Sequence, residues 1–370
     1  MSRTVFVLGA GASKQAGVPL MGEFLDVAEH IWRSGELNEQ DTEHFERVFR
    51  AISKLQIVHS KSKLDLVNLE AVFSTFEMAK LLGKLPGFEE AELSDLITSM
   101  KRVIVVTIEK TLEFPFSSKR AREALPYGAF CNLLKEIRDN SMEKPGVSIV
   151  TFNYDIALDH ALHINRLGPN YHLMGHAESK ESVSLLKLHG SINWGSSSDY
   201  DQIIPYDLHK YFKNYSFDRI FSDVSSVKIP IGTHLNEQKD SLKIDGEPVI
   251  VPPTWNKSLN HSELSKVWSQ AAIELEEAEN ILVIGFSLPE TDMFFKHLYA
   301  LGTVGDLTLK KFWVFDPDES GSVKKRYENM LGSGALRRFD YQPLTFEDAI
   351  PFIREALTGL SSSNLFITSV

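Results

Sequence analysis

The sequence predicts an α/β fold: a doubly wound, mostly parallel sheet of about six strands carrying a large helical insertion. Three observations predict it. Short apolar runs bounded by turn residues recur along the chain, helical patterns lie between them, and a long helical interval parts the first run from the second.

The first run, TVFVLG at 4–9, is continuous in apolar character, as a strand covered on both faces must be, and it ends in glycines. The pattern then turns helical. In NLEAVFSTFEMAKLLG, Leu69, Val72, Phe73, Phe76 and Ala79 recur at helical spacing, and ELSDLITSMKRVIVVTIEKTLEF reads as a long amphipathic helix. Residues 1–22 and 126–370 are thereby assigned to an α/β core, and 23–125 to a helical insertion packed on it. The remaining strands are VSIVTF (147–152), SLLKLH (184–189), EPVIVP (247–252), NILVIGF (280–286) and KKFWVFD (310–316). Helices between them include Tyr154–Leu162 and SELSKVWSQAAIELEEAE, the latter with Ser262 as its N-cap. The interval 196–246 is loop-rich and aromatic (Tyr200, Tyr206, Tyr211, Phe212, Tyr215, Phe217), and it is expected to cap a cleft or meet a partner. The tail GLSSSNLFITSV joins a serine hinge to an apolar end, either frayed or docked on another subunit.

Composition narrows the function classes. The chain has 370 residues, 43% hydrophobic and 24% charged, the make-up of an ordinary globular protein. No apolar run approaches the roughly 18 residues that span a bilayer, and MSRTVFVLGAGAS lacks a signal-peptide cleavage pattern. Cys131 is the only cysteine, which excludes an intrachain disulfide and a four-thiolate zinc site. A soluble, cytoplasmic protein without a membrane partner is expected. The net charge of −11 argues against general nucleic-acid binding. The basic clusters Lys119-Arg120-Ala121-Arg122, Lys324-Lys325-Arg326 and Arg337-Arg338 read as solvated faces.

Chemistry-bearing residues gather at strand ends. In VFVLGAGASKQAGVP a strand runs into Gly9 and Gly11, which either only make a tight strand-to-helix turn or let the backbone approach a phosphate. The dinucleotide fingerprint G-x-G-x-x-G is broken at Lys14, no acidic strand end follows about 20 residues on, and no G-K-[ST] is present. VSIVTF delivers Asn153, Tyr154 and Asp155. SLLKLH delivers His189, NILVIG delivers Gly285, Phe286 and Ser287, and KKFWVF delivers Asp316. Ligands of open α/β sheets bind outside the carboxyl ends of strands. Four such ends carrying polar groups point to a ligand cleft, although Asp155 alone fits a helix cap and His189 alone fits a core histidine.

GAGASKQAGVP resembles the sirtuin signature G-A-G-x-S-x-x-A-G-I-P. FNYD is similar to that family's N-x-D motif, LHGSINW to its His-Gly motif and GFS to its G-x-S segment. The resemblance covers the predicted strands and their following loops, about half of the chain, in the family's order. It implies a Rossmann-like sheet with NAD across the cleft. Gly9, Ala10, Gly11, Ala12 and Ser13 would lie at the phosphates, with the signature closing at Pro19. Asn153 and Asp155 would face the nicotinamide ribose and carboxamide, and His189 would be the base. Gly285, Phe286 and Ser287 would border the phosphates, and Asp316 would reach the adenosine ribose. Two departures matter: the four-cysteine zinc ribbon of sirtuin deacylases is absent, and Pro19 is followed by Leu20-Met21-Gly22 instead of Phe-Arg. With its helical insertion, the chain more closely resembles the sirtuin-like NAD hydrolases of bacterial antiphage defence. That resemblance implies NAD as substrate, no zinc, abortive infection through NAD depletion, a homo-oligomer, and a HerA-type ATPase as partner.

Cleaving the nicotinamide–ribose bond needs no metal. Asn153 would hold a water or the ribose hydroxyls and His189 would accept the proton, a contribution of about 10²–10⁴-fold. Lys187 reads as structural. The competing readings are an NAD or ADP-ribose sensor without turnover and an NAD-dependent protein deacylase. His160 with His163, and His172 with His176, have ligand-like spacing but no carboxylate or cysteine complement, so core or surface histidines are expected there.

Overall fold

The computed structural model describes residues 3–59, 63–139, 146–173, 182–197, 202–208, 211, 225–251, 262–289, 293–303 and 309–359. Its strands are β1 (Thr4–Leu8), β2 (Phe114–Ser117), β3 (Arg120–Ala121), β4 (Val147–Thr151), β5 (Pro169–Asn170), β6 (Val183–Lys187) and β7 (Gly190–Ser197). They continue with β8 (Ile203–Pro205), β9 (Ser226–Val227), β10 (Ile244–Ile250), β11 (Asn280–Ile284), β12 (Lys311–Phe315) and β13 (Phe339–Gln342). The main sheet is wholly parallel among the described residues, in the order β13-β12-β11-β1-β4-β6-β5. Every residue of β1, β4 and β11 is buried. Successive side chains of a strand point to opposite faces, so burial without alternation means cover on both faces. This is the expected α/β class.

The helices are α1 (Phe24–Arg33), α2 (Glu39–His59), α3 (Leu69–Leu82), α4 (Glu92–Thr111), α5 (Tyr127–Asp139), α6 (Ala157–Ile164) and α7 (Ile231–Glu237). Then come α8 (Lys239–Leu242), α9 (Ser262–Glu276), α10 (Met293–Gly302), α11 (Ser322–Met330), α12 (Ser333–Leu336) and α13 (Phe346–Thr358). In α3 the local signals agree. Asn68 caps it by accepting from the N–H groups of Glu70 (2.9 Å) and Ala71 (3.1 Å), Leu69, Val72, Phe73, Phe76 and Ala79 are buried, and Gly83 ends it in the left-handed region. In α4, Arg102 to Glu109 are buried in unbroken succession, so that stretch is enclosed all round. It packs against α1, α2, α3, α7 and β10.

Three departures from the expected sheet concern topology. EPVIVP does not join the parallel sheet. It forms part of β10, which pairs antiparallel with β7 in a three-stranded sheet with β8. An apolar run fixes that a strand is buried, not which partner it takes. The edge strands β5 and β13 escaped the pattern: β5 is two residues long, and all four residues of β13, FDYQ, are only half-buried. The tail beyond Gly359 lies outside the described residues, as do Tyr200, Phe212, Tyr215 and Phe217 of the aromatic interval. Tyr206 and Tyr211 of that interval are buried.

Candidate functional site

A cavity of about 640 Å³ opens at the carboxyl ends of β1, β4, β11 and β12. Strands added after β1 run to one side through β4 and β6, and the later ones to the other through β11 and β12. The cavity thus lies where strand order reverses, the position at which open α/β sheets bind ligands. Its size is within the range of about 300–1,000 Å³ typical of small-molecule sites.

Two glycine turns form its floor by packing on each other. A Cβ at Gly9 would sit 2.5 Å from Phe286 Cα, and one at Gly11 2.8 Å from Gly285 Cα, while Gly285 itself has φ +60°. Only glycine lets these turns approach so closely. The same contact consumes backbone donors: Gly9 N–H donates to Ile284 O (3.1 Å), Gly11 N–H to Gly285 O (2.9 Å) and Ala12 N–H to Gly9 O (3.0 Å). These three amides are spent inside the protein and are not free to donate to a phosphate. Ala10 and Gly11 line the cavity, whereas Ala12, Ser13 and Pro19 are buried behind it.

Asn153 reaches the cavity wall from the end of β4. Its Nδ2 donates to Gly9 O (2.9 Å) and Ser13 Oγ (3.1 Å), and its backbone N–H donates to Thr151 Oγ1 (3.1 Å). Ser13 Oγ is in turn 2.7 Å from the hydroxyl of Tyr127, whose pKa burial drives well up, so the phenol stays protonated. Phe152 and Phe286 also line the cavity, with their rings stacked at 4.3 Å and 8°. Ser287 and Asp316 complete the predicted residues found on the wall. Burial raises the Asp316 carboxyl, whose Oδ1 accepts from Asp318 N–H (3.0 Å).

His189 does not reach the wall. It is 1% exposed and lies edge-on to Phe152, 5.1 Å between ring centroids, with Phe152 on the cavity side. Gly190, which follows it, gives passage to a neighbouring strand: at φ +83°, a Cβ there would come 2.0 Å from Val249 O. Asp155 is buried too, its Oδ1 accepting from Ala157 N–H (2.9 Å) at the start of α6, and desolvation raises its pKa. Beneath it Lys187, 1% exposed, donates to Asp155 O (2.6 Å) and Asp159 Oδ2 (2.9 Å). Tyr171 OH donates to the other Asp159 oxygen (2.6 Å).

Sequence reasoning missed part of the wall. Lys14 and Glu23, which form an ion pair, both line the cavity. So do Asn68 and Glu70 at the start of α3, and Thr345 and Phe346 at the start of α13. Helix-cap patterns mark both starts, Asn68 before an apolar period and Thr345 three residues before Asp348, but a cap pattern does not say what the helix end faces. None of the described residues of 196–246 lines the cavity.

His160 is a core histidine, its ring 4.8 Å from that of Phe114. His172 Nε2 lies 2.9 Å from Ser184 Oγ, and His176 falls outside the described residues. Among the described residues no group of three or more His, Cys, Asp or Glu could hold a metal, and no helix is long and apolar enough to cross a membrane.

No family model matches the chain, and no curated protein does. Among solved structures, a Sir2 homologue mutant in complex with ADP-ribose aligns with a TM-score of 0.40 at 13% identity, covering 97% of this chain and 93% of that chain. Sir2Tm bound to a propionylated peptide aligns with a TM-score of 0.36 at 12% identity, covering 96% and 92%. At that identity and overlap neither assigns a role to any residue of this chain.

Proposed function

We propose that the chain is an NAD hydrolase: NAD⁺ and water give nicotinamide, ADP-ribose and a proton. The observation that carries this reading is Asn153, set at the cavity wall by two donated hydrogen bonds, where strand order reverses. Both of its amide hydrogens are spent, which leaves Oδ1 to accept from a water or a ribose hydroxyl. The cavity volume suits a dinucleotide, and the stacked Phe152 and Phe286 supply an apolar wall for a flat ring. His189 is the proton acceptor of this scheme. To serve, it needs a path past the Phe152 and Tyr154 rings, which line the cavity with their centroids 5.1 and 6.1 Å from its own. The resemblance in motifs extends the proposal to NAD depletion in antiphage defence, by a cytoplasmic homo-oligomer working with a HerA-type ATPase. The division into a core of 1–22 and 126–370 and an insertion of 23–125 belongs to the same proposal.

The burial of His189 favours one second reading, a sensor that binds NAD or ADP-ribose without turnover. One experiment separates the two: incubation of the full chain with NAD, with products resolved by chromatography, beside Asn153→Ala and His189→Ala. Hydrolysis predicts nicotinamide and ADP-ribose in equal amounts, and a loss of about 10²–10⁴-fold in His189→Ala, with the fold retained by circular dichroism although the buried truncation lowers the melting temperature. Binding without product formation, with or without added ATPase partner, would leave the sensor. Near-wild-type turnover in either variant would remove the assigned roles.

A further inference from the structure

The glycine turns leave the cavity short of positive charge. With the amides of Gly9, Gly11 and Ala12 bonded internally, a phosphate would find few backbone donors there. Among the described lining residues Lys14 is the one Lys, Arg or His, set against the carboxylates of Glu23, Glu70 and Asp316. Arg326 lies near but does not line the cavity, and its Nε donates to Ser287 O (2.8 Å). Lys14 Nζ is meanwhile bonded to Glu23 Oε1. Position 14 is also where the dinucleotide fingerprint would require a glycine.

We propose that Lys14 is the phosphate-binding cation of this cavity, held by Glu23 in the free protein and exchanged onto the diphosphate of a bound nucleotide. The exchange costs little. The two side chains are 48% and 42% exposed, and an ion pair that exposed contributes little to stability. An ammonium–phosphate contact inside a cleft is the stronger of the two. Glu23 keeps a partner when Lys14 leaves, since the same Oε1 accepts from Leu20 N–H at 3.0 Å. The carboxylate therefore stays at the mouth of α1 as a competitor, which sets a lower affinity than Lys14 alone would give.

This inference rests on the nucleotide reading of the site, and calorimetric titration of the full chain with ADP-ribose tests the two separately. Lys14→Met is expected to weaken ADP-ribose binding by about tenfold or more, while adenosine, which carries no phosphate, binds as before. Glu23→Gln is expected to tighten ADP-ribose by a few-fold, and to do so only while Lys14 is present. If Lys14→Met binds ADP-ribose like the wild type, the inference fails and the nucleotide reading stands. An equal gain from Glu23→Gln in the Lys14→Met background would make Glu23 a general repulsive charge and overturn the exchange. A wild-type chain that does not bind ADP-ribose overturns both. Both substituted side chains are half-exposed, so melting temperatures are expected to hold.

Discussion

At the scale of single residues, type and place were legible to different degrees. Asn153 could be placed because it directly follows an apolar strand, and the end of such a strand in an open α/β sheet is the edge that meets ligand. His189 follows the same rule in sequence, yet its chain runs straight on into β7, and Val251 N–H donates to its carbonyl (2.9 Å). A strand that continues into a second sheet does not open onto a crevice, and no local pattern distinguishes the two cases. His160 is buried in the core, as one of the two expectations for that spacing had it, and its burial has a measurable consequence. Burial pushes the His160 imidazole down to about 3, whereas in the unfolded chain it titrates near 6.5. Below pH ~6.5 the unfolded state takes up a proton that the folded state refuses, so stability falls as pH drops from about 6.5 towards 3. Replacing His160 by Phe removes this contribution. The shift in urea midpoint between pH 7.5 and pH 5 is therefore expected to shrink in His160→Phe, and an unchanged shift would show that His160 is not held neutral.

At the scale of elements, five strands of the parallel sheet were legible because burial on both faces, complete in β1, β4 and β11 and nearly so in β6 and β12, leaves a mostly apolar run, and their ends agree with expectation to a residue or two. The edge strands and the small antiparallel sheet were not, since half-buried or paired-elsewhere segments carry no distinct rhythm. Lys187 breaks the run in β6, and the structure supplies the reason. It is level with Thr151 of β4, and its ammonium ties Asp155 O and Asp159 together beneath the turn that carries Asn153. Taking a lysine and an aspartate out of water is costly, and such a pair is weak evidence for stability in itself. Its effect here is to fix the path of the chain from β4 into α6. Lys187→Met leaves Asp159 buried without its cation and is expected to cost about 3–5 kcal/mol. The double variant Lys187→Met with Asp159→Leu removes both charges and is expected to recover most of that loss in chemical denaturation. If hydrolysis is the activity, the double variant is also expected to lose kcat more than KM, because the turn under Asn153 is no longer tied. Full recovery of turnover together with stability would reduce Lys187 to packing.

At the scale of the whole molecule the question is whether the helical segment and the sheet behave as one body. Chain length alone argues for two, since single cores rarely grow beyond about 250–300 residues. The buried contacts argue for one. Val5 of β1, Phe45 of α2, Val105 of α4, Ile250 of β10 and Ile353 of α13 belong to a single cluster of buried apolar residues. A polar network crosses the same boundary. Arg102 donates to Asp41 (2.6 Å) and Thr233 Oγ1 (3.1 Å), and Glu109 accepts from the N–H (2.8 Å) and hydroxyl (2.6 Å) of Thr233. Each of these groups is buried or half-buried, so the Arg102 guanidinium and the Glu109 carboxylate are both tied to Thr233 of α7 across the boundary, which fixes how the two parts meet. The cavity is closed by the same arrangement: Asn68 and Glu70 come from the cap and first turn of α3, Asn153 and Phe286 from the sheet ends, Thr345 and Phe346 from the start of α13. Scanning calorimetry is therefore expected to give one transition whose calorimetric and van't Hoff enthalpies agree. A nucleotide that contacts all three parts should raise that transition as a whole, by the logarithm of its concentration over its dissociation constant. Two resolved transitions, only one of them moved by ADP-ribose, would mean that the helical segment folds apart from the sheet and that the cavity wall it supplies is not part of the binding site.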